Sequence, residues 1–161
     1  KFGGVYPQKV VRVWKTGEGK YANTWMDEHI VLKNKKSFMN VSITDHNLNN
    51  LTWWLSKHKK YAIREAIDYL IHKNQKNYYY KKSKKIYYEF PILIRPFIYF
   101  FYRYFFKLGF LNGWQGLIFD LLQGFYYRFA VDICIIKIIF FKHVKKISFK
   151  KSVKLLYNYD L

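Results

Sequence analysis

The feature that most constrains this chain is an apolar and aromatic block at residues 91–142, which charged residues interrupt at short intervals. Its longest uncharged run, residues 108–119, has 12 residues, whereas a helix that spans a membrane needs roughly 20 apolar residues. Arg95, Arg103, Lys107 and Arg128 are spaced so that helices keep one polar face while aromatic side chains enter the lipid headgroups. The block therefore predicts helices that lie on a membrane.

The charge distribution supports the same interpretation of a chain with 161 residues and a net charge of +19. Residues 57–107 hold 13 basic against 3 acidic side chains, residues 137–161 hold 7 against 1, and residues 108–136 between them hold 1 against 2. Basic segments beside an apolar one are attracted to an anionic membrane by about 1 kcal/mol per Lys or Arg near its surface. Nucleic acid is not an expected partner, because 24 of the 29 basic residues are Lys, which lack the planar fork of Arg.

The pattern along the chain predicts an α+β fold in four parts. Residues 1–46 hold three short extended candidates at 9–16, 25–33 and 37–44, with a turn at Gly17 and Gly19. Apolar residues at helical spacing then predict one long amphipathic helix at 47–74, with Asn47 or Asn49 as its N-cap. Residues 75–90, rich in Lys and Tyr, predict a linker. In residues 91–161 we expect several membrane-interfacial helices, divided by Gly109, Gly113, Gly116 and Gly124.

One acidic cluster in the chain has the composition of a catalytic site. Asp27, Glu28 and His29 lie between Trp25 and Ile30, near the start of the extended candidate at 25–33. A carboxylate that is partly desolvated beside an aromatic ring has a raised pKa, as a general base requires. A solvated turn with an incidental acidic pair is the alternative.

Motifs that bind nucleotides or metals by themselves are missing from the sequence. It contains no G-x-x-x-x-G-K-[ST], no G-x-G-x-x-G, no H-E-x-x-H and no D-x-D. Asp45 and His46 offer two candidate ligands for a divalent ion, and helix capping is the alternative role for this pair. Two adjacent ligands do not define a metal site.

In the order of four stretches, the chain resembles the C-terminal half of bacterial family 2 glycosyltransferases that build lipopolysaccharide cores and exopolysaccharides. The stretches are GGVYPQKVVRVWKTGEGKY, WMDEHIVL, TDHNLNNLTWWLSKHKKYAIREA and RPFIYFFYRYFFKLGFLNGWQGLIFDLLQGFYYRFAVD. The resemblance implies that residues 1–46 complete the α/β sheet of a GT-A catalytic domain whose nucleotide-binding half lies outside this chain. It also implies a peripheral location at the cytoplasmic face of the bacterial inner membrane.

By this resemblance, the chain is a fragment of an inverting glycosyltransferase, inactive alone, that moves a sugar from a nucleotide-diphosphate donor to a cell-envelope glycan or lipid-linked acceptor. Glu28, or else Asp27, is the implied general base, since adjacent residues of an extended segment face opposite sides. Arg12 is implied to neutralise the donor diphosphate, and a surface ion pair is the alternative for it. Trp25 and His29 are the expected acceptor contacts.

The resemblance further implies a divalent cation, Mg²⁺ or Mn²⁺, in the full enzyme, with Asp45 and His46 as candidate late ligands. Contact with an anionic membrane surface is expected from Arg95, Phe100, Phe101, Arg103, Phe110, Trp114, Phe125 and Arg128. The alternative function is a non-enzymatic basic membrane-binding module. Binding of single-stranded nucleic acid through Lys and Tyr is the less favoured third possibility.

Overall fold

The computed structural model describes residues 2–4, 8–21, 30–34, 36–44, 46–73 and 82–161. It confirms an α+β chain in which a small antiparallel sheet precedes a helical region. The strands are β1 (Gly19–Tyr21) and β2 (Ile30–Leu32). The α-helices are α1 (Leu51–His72), α2 (Lys82–Glu89), α3 (Arg95–Phe101), α4 (Gly113–Phe119), α5 (Tyr127–Lys145) and α6 (Phe149–Tyr157). Two π-helical segments, Tyr102–Phe106 and Asp120–Tyr126, and a 3₁₀-helix, Gly109–Asn112, complete the helical region.

The sheet is smaller than the sequence pattern predicts. Strands β1 and β2 pair with Gly19 opposite Leu32 and Tyr21 opposite Ile30. The predicted turn is confirmed at Gly17, which has a φ of +85° just before β1, whereas Gly19 is already the first residue of that strand. The predicted strands at 9–16 and 37–44 are wrong within the described residues, and the predicted strand at 25–33 is described only from Ile30 onward. Alternating side chains favour an extended backbone, but Val13 has no surface to bury it and stays exposed.

The predicted amphipathic helix is confirmed as α1, but its N-terminus lies later than the sequence suggests. Asn50 is the N-cap, and its Oδ1 accepts a hydrogen bond of 2.9 Å from the backbone N–H of Trp53. Neither Asn47 nor Asn49 caps the helix, because the Oδ1 of Asn47 accepts from the backbone N–H and the side chain of Asn49 instead. Two nearby asparagines thus form a local turn, which delays the helix start to Leu51.

The apolar core lies where α1 packs against α5, with α6 closing one end. Its members are Ala62, Ala66, Ile67, Tyr127, Val131, Ile135, Ile138 and Val153. Helix α6 is the last of the several helices found in residues 91–161. Ser148 caps it by accepting from the backbone N–H of Lys151, and Val153 is its residue in the core. The buried apolar core of the described chain is therefore formed by α1, α5 and α6.

The apolar block folds as a helical hairpin. One arm comprises α3 and the first π-helical segment, and the other arm runs without interruption from α4 through the second π-helical segment into α5. The turn between the arms is set by Leu108 and Gly113, which both have positive φ angles. The prediction that Gly116 and Gly124 divide the block is wrong, since both lie inside helices and neither has a positive φ angle. Gly109 opens the 3₁₀-helix of the turn.

Part of the predicted linker is also helical. Residues 82–89 form α2, whereas residues 74–81 lie outside the described part of the chain. Local sequence does not favour this helix, so its contacts must stabilise it: the ring of Tyr88 lies 4.6 Å from the ring of Tyr69 in α1, and the ring of Tyr87 lies 5.7 Å from that of Tyr99 in α3. In the part of the chain that the structure describes, no helix has the length and apolarity needed to cross a membrane.

Candidate membrane-docking site

The first arm of the hairpin exposes an apolar face. Residues at spacing i, i+1, i+4 and i+5 share one side of a helix, and on this arm they are between 37% and 80% exposed. We call this surface the aromatic face. It consists of Phe97, Ile98, Phe101, Tyr102, Phe105 and Phe106. Its rings stack along the helix, with centroids 5.8 Å apart for Phe101 and Phe105 and 6.4 Å apart for Tyr102 and Phe106.

Large apolar side chains are also exposed on the turn and on the second arm. They are Phe110, Leu111, Trp114, Ile118, Phe119, Leu121, Ile133, Ile136, Ile139, Phe140 and Val144. Soluble proteins rarely expose so many large apolar residues in neighbouring elements, and such surfaces mark contact with lipid or with another protein.

The interior between the two arms is charged instead. Arg95 of α3 and Asp132 of α5 are both fully buried and form an ion pair. The Nε of Arg95 donates to Oδ1 of Asp132 at 2.8 Å, and its Nη2 contacts the same oxygen. Oδ2 of Asp132 accepts at 2.8 Å from the backbone N–H of Leu93. Burial alone would lower the pKa of Arg95, but the hydrogen bond and charge of Asp132 raise it, so the guanidinium stays charged.

Aromatic rings enclose the guanidinium of Arg95. The ring centroids of Tyr69, Tyr87 and Tyr88 lie 5.1, 5.1 and 4.9 Å from its Cζ. Burial raises the pKa of Tyr87, and the nearby charge of Asp132 raises it further, so this phenol stays neutral. The faces of the three rings therefore stabilise the buried cation.

A second ion pair joins the two π-helical segments. Nη2 of Arg103 lies 2.7 Å from Oδ1 of Asp120, and both side chains are buried. Burial raises the pKa of Asp120, whereas the charge of Arg103 lowers it in part. Oδ2 of Asp120 would lie 2.2 Å from a Cβ on Gly109, so only a glycine admits the carboxylate there. Arg103 also donates from Nε to the carbonyl oxygen of Gly3 at 3.0 Å.

The hairpin is therefore charged inside and aromatic outside, which corrects two predicted membrane contacts. Arg95 and Arg103 were expected on a wet helix face, but the structure buries both, because each has an aspartate on the other arm that compensates its desolvation. Of the other predicted contacts, Phe101, Phe110 and Trp114 are exposed, whereas Phe100 and Phe125 are half-buried.

Arg128, the remaining predicted contact, belongs to a cluster around Glu65 that joins α1, α2 and α5. The buried carboxylate of Glu65 accepts from Oη of Tyr127 at 2.6 Å, from Nη1 of Arg128 at 2.7 Å and from Oη of Tyr88 at 3.1 Å. Nζ of Lys84 lies 3.4 Å from it. Burial would raise the pKa of Glu65, but the charges of Arg128 and Lys84 and the two phenol hydrogen bonds lower it to about 2.

The role of Glu65 was not predicted from the sequence, although α1 carries a signal for it. Ala62, Ala66 and Tyr69 set the buried stripe of α1, and Glu65 lies on the same side of the helix. An acidic residue on a core-facing stripe indicates a buried ion pair, because an unpaired carboxylate would be too costly there.

The predicted catalytic residues are described only in part. Those that lie outside the described residues are Trp25, Asp27, Glu28, His29 and Asp45. Arg12 is exposed on an irregular segment, and His46 is exposed before α1. Among the described residues, no group of three or more His, Cys, Asp or Glu could hold a metal ion. The described part of the chain thus does not supply a site for the divalent cation that the resemblance implies.

Comparison with known proteins adds no relative. No protein-family model matches the chain, and searches of curated proteins and of solved structures return no significant match.

Proposed function

We propose that this chain is the acceptor-side and membrane-docking part of an inverting glycosyltransferase of the bacterial cell envelope. The four stretches quoted above support the enzyme class. The hairpin supports the membrane contact, and one observation carries it: the charged side chains Arg95, Arg103, Asp120 and Asp132 are buried in pairs while large apolar side chains point outward. Water favours the opposite arrangement, whereas lipid favours this one.

The energetics of the aromatic face fit a lipid interface. Moving a fully exposed large apolar side chain into an apolar phase is favourable by about 1.5 to 3 kcal/mol. The six residues of the face are about half exposed, so their transfer is favourable by on the order of 6 kcal/mol before the entropy of association is subtracted. The exposed lysines at the end of α5, Lys142, Lys145 and Lys146, add attraction to an anionic leaflet.

The proposed reaction takes place where the acidic cluster meets the acceptor. The carboxylate of Glu28, or of Asp27 as the alternative, removes the proton from an acceptor hydroxyl. The acceptor oxygen then forms a bond to the anomeric carbon as the bond from that carbon to the diphosphate breaks, which inverts the configuration. Arg12 compensates the negative charge on the departing diphosphate, and Trp25 and His29 contact the acceptor.

The membrane part of the proposal is tested by flotation with vesicles. Phe106 is 80% exposed on the aromatic face, and Leu48 is 94% exposed ahead of α1. F106Q and L48Q therefore each replace an exposed apolar side chain by a polar one, the first on the aromatic face and the second away from it. We expect F106Q to weaken partitioning into anionic vesicles about tenfold, whereas L48Q leaves it unchanged. Equal effects of the two substitutions would mean that the aromatic face is not the docking surface.

The catalytic part is tested in the complete enzyme, with the nucleotide-binding half joined upstream. Sugar transfer from a nucleotide donor is measured for wild type, Glu28→Gln and Asp27→Asn. Loss of a general base lowers the rate by about 10²- to 10⁴-fold, so one variant is expected to show this loss and the other a much smaller one. Wild-type rates for both variants would refute the assignment of the base.

The second candidate function, a non-enzymatic basic membrane-binding module, is favoured by the same hairpin. It predicts that the completed chain binds anionic vesicles and transfers no sugar from any nucleotide donor. Binding to a single-stranded oligonucleotide would instead fall steeply with salt concentration, and vesicles would not compete for it.

A further inference from the structure

The N-terminal end of the described chain is attached to the turn of the hairpin. The backbone N–H of Gly3 donates to the carbonyl oxygen of Lys107 at 2.8 Å, and the carbonyl oxygen of Gly3 accepts from Nε of Arg103 at 3.0 Å. The backbone N–H of Phe2 donates to Oδ1 of Asn112 at 3.3 Å. Three hydrogen bonds thus join residues that are about 100 positions apart in the chain.

The glycines make this approach possible. Gly3 and Gly4 have φ angles of +86° and +73°, a conformation that residues with a Cβ rarely adopt. A Cβ at Gly4 would lie 3.3 Å from Cγ and 3.7 Å from Cβ of Lys107, and one at Gly3 would lie 3.6 Å from the carboxylate of Asp120. The segment therefore lies directly on the turn, with its backbone against side chains of both arms.

Arg103 has the geometry to hold the segment in this position. Nη2 of its guanidinium lies 2.7 Å from Oδ1 of Asp120, while Nε of the same group donates to the carbonyl oxygen of Gly3. The Arg103 stem packs beside Gly124, where even an added Cβ would make only an ordinary contact, at 3.7 Å from Cδ of Arg103. A lysine has a single ammonium group and could not serve both partners at these positions.

We infer that the turn of the hairpin is the docking site for the Gly3–Gly4 segment and that Arg103 is its positioning residue. The segment leads into the part of the chain that contains Arg12 and the predicted carboxylates. The same turn exposes Phe110, and Trp114 is exposed beside it in the first turn of α4. Docking thus places the acceptor-side region next to the proposed lipid contact. This consequence rests on the proposed function, but the docking contact itself is independent of it.

A disulfide cross-link tests the docking. Cysteines at positions 4 and 107 would have Cβ atoms about 3.7 Å apart, within the range of natural disulfides. The variant Gly4→Cys/Lys107→Cys, with Cys134→Ala to remove the native thiol, is compared with Gly17→Cys/Lys107→Cys. Gly17 also has a positive φ angle, and a Cβ there would contact no described residue within 4 Å. Under a mild oxidant we expect the first pair to close at least tenfold faster, and equal rates would overturn the docking.

The role of Arg103 is tested by adding Arg103→Lys or Arg95→Lys to the first pair. Both substitutions weaken a buried ion pair, but only Arg103 contacts Gly3. We expect Arg103→Lys to slow cross-linking several-fold at unchanged helicity by circular dichroism, and Arg95→Lys to leave the rate as it is. Equal slowing by both would overturn the assignment of Arg103.

Flotation of the same variants separates this inference from the proposed function. Normal cross-linking without vesicle binding would contradict only the membrane proposal. Vesicle binding without preferential cross-linking of the first pair would contradict only the docking.

Discussion

The sharpest quantitative prediction concerns Glu65, the buried carboxylate that joins α1, α2 and α5. Replacing it by glutamine removes the ionic partner of Arg128 and Lys84 and keeps the size of the side chain. Arg128 is a quarter exposed and regains some solvent contact, whereas Tyr127 loses an ionised acceptor at 2.6 Å. We expect E65Q to lower the free energy of unfolding, because it leaves a cation beside apolar helices without its counterion.

The pKa of Glu65 gives the magnitude. It falls from 4.5 to about 2 on folding, and at about 1.4 kcal/mol per pH unit this corresponds to roughly 3 kcal/mol. Because the folded state has the lower pKa, this stabilisation is fully present above pH 4.5. It is lost as the pH falls through the interval from 4.5 to 2. Wild type should thus exceed E65Q by roughly 3 kcal/mol at neutral pH and by little at pH 2.

Urea unfolding in detergent micelles, followed by circular dichroism at a series of pH values, measures this difference. Glu89 is exposed at the end of α2, so E89Q controls for the removal of one carboxylate from the same region. The control should track wild type at every pH. A gap between wild type and E65Q that stays constant from pH 7 to pH 2 would refute the reasoning, since it would show that the ionisation of Glu65 contributes nothing.

Two further predictions concern local structure. A Cβ at Gly116 would lie 2.7 Å from the carbonyl oxygen of Gly109, so G116A should cost about 1 to 3 kcal/mol in unfolding free energy. G124A makes only ordinary contacts and should be neutral or stabilising by up to about 1 kcal/mol; equal losses would contradict the packing of the turn. N50A should cost about 1 kcal/mol by removing the N-cap of α1, and N49A, whose site does not cap the helix, should cost much less in the same thermal melts.

The helices were more predictable than the strands, for a physical reason. The periodicity around Ala62 and Ala66 predicts α1, because a helix closes its hydrogen bonds within its own sequence. A strand needs a partner, so the alternation in residues 9–16 and 37–44 gives no strand in the described chain. The existence of a helix at 149–157 was predictable on the same local grounds.

The interior of the hairpin was less predictable, because its determinants are far apart in sequence. Arg95 and Asp132 are separated by 37 positions, so a local reading assigns each of them to a wet face. One signal was available: two arginines on the first arm and two aspartates on the second would meet in reverse order if the arms were antiparallel. Recognising this signal requires knowing that the chain turns at residues 107–113. The glycine pattern alone does not show this, because Gly116 and Gly124 were equally acceptable turn positions.

The hydrogen bond from Leu93 to Asp132 has a consequence for the order of folding. The N-cap of α3 is Ile94, whose side chain cannot accept a hydrogen bond from the first turn of the helix. The backbone N–H of the preceding residue, Leu93, donates instead to the carboxylate of Asp132 in α5. During synthesis α3 leaves the ribosome before that carboxylate does. We therefore expect α3 and its aromatic surface to become ordered only after α5 has been made, so that the two arms of the hairpin form together.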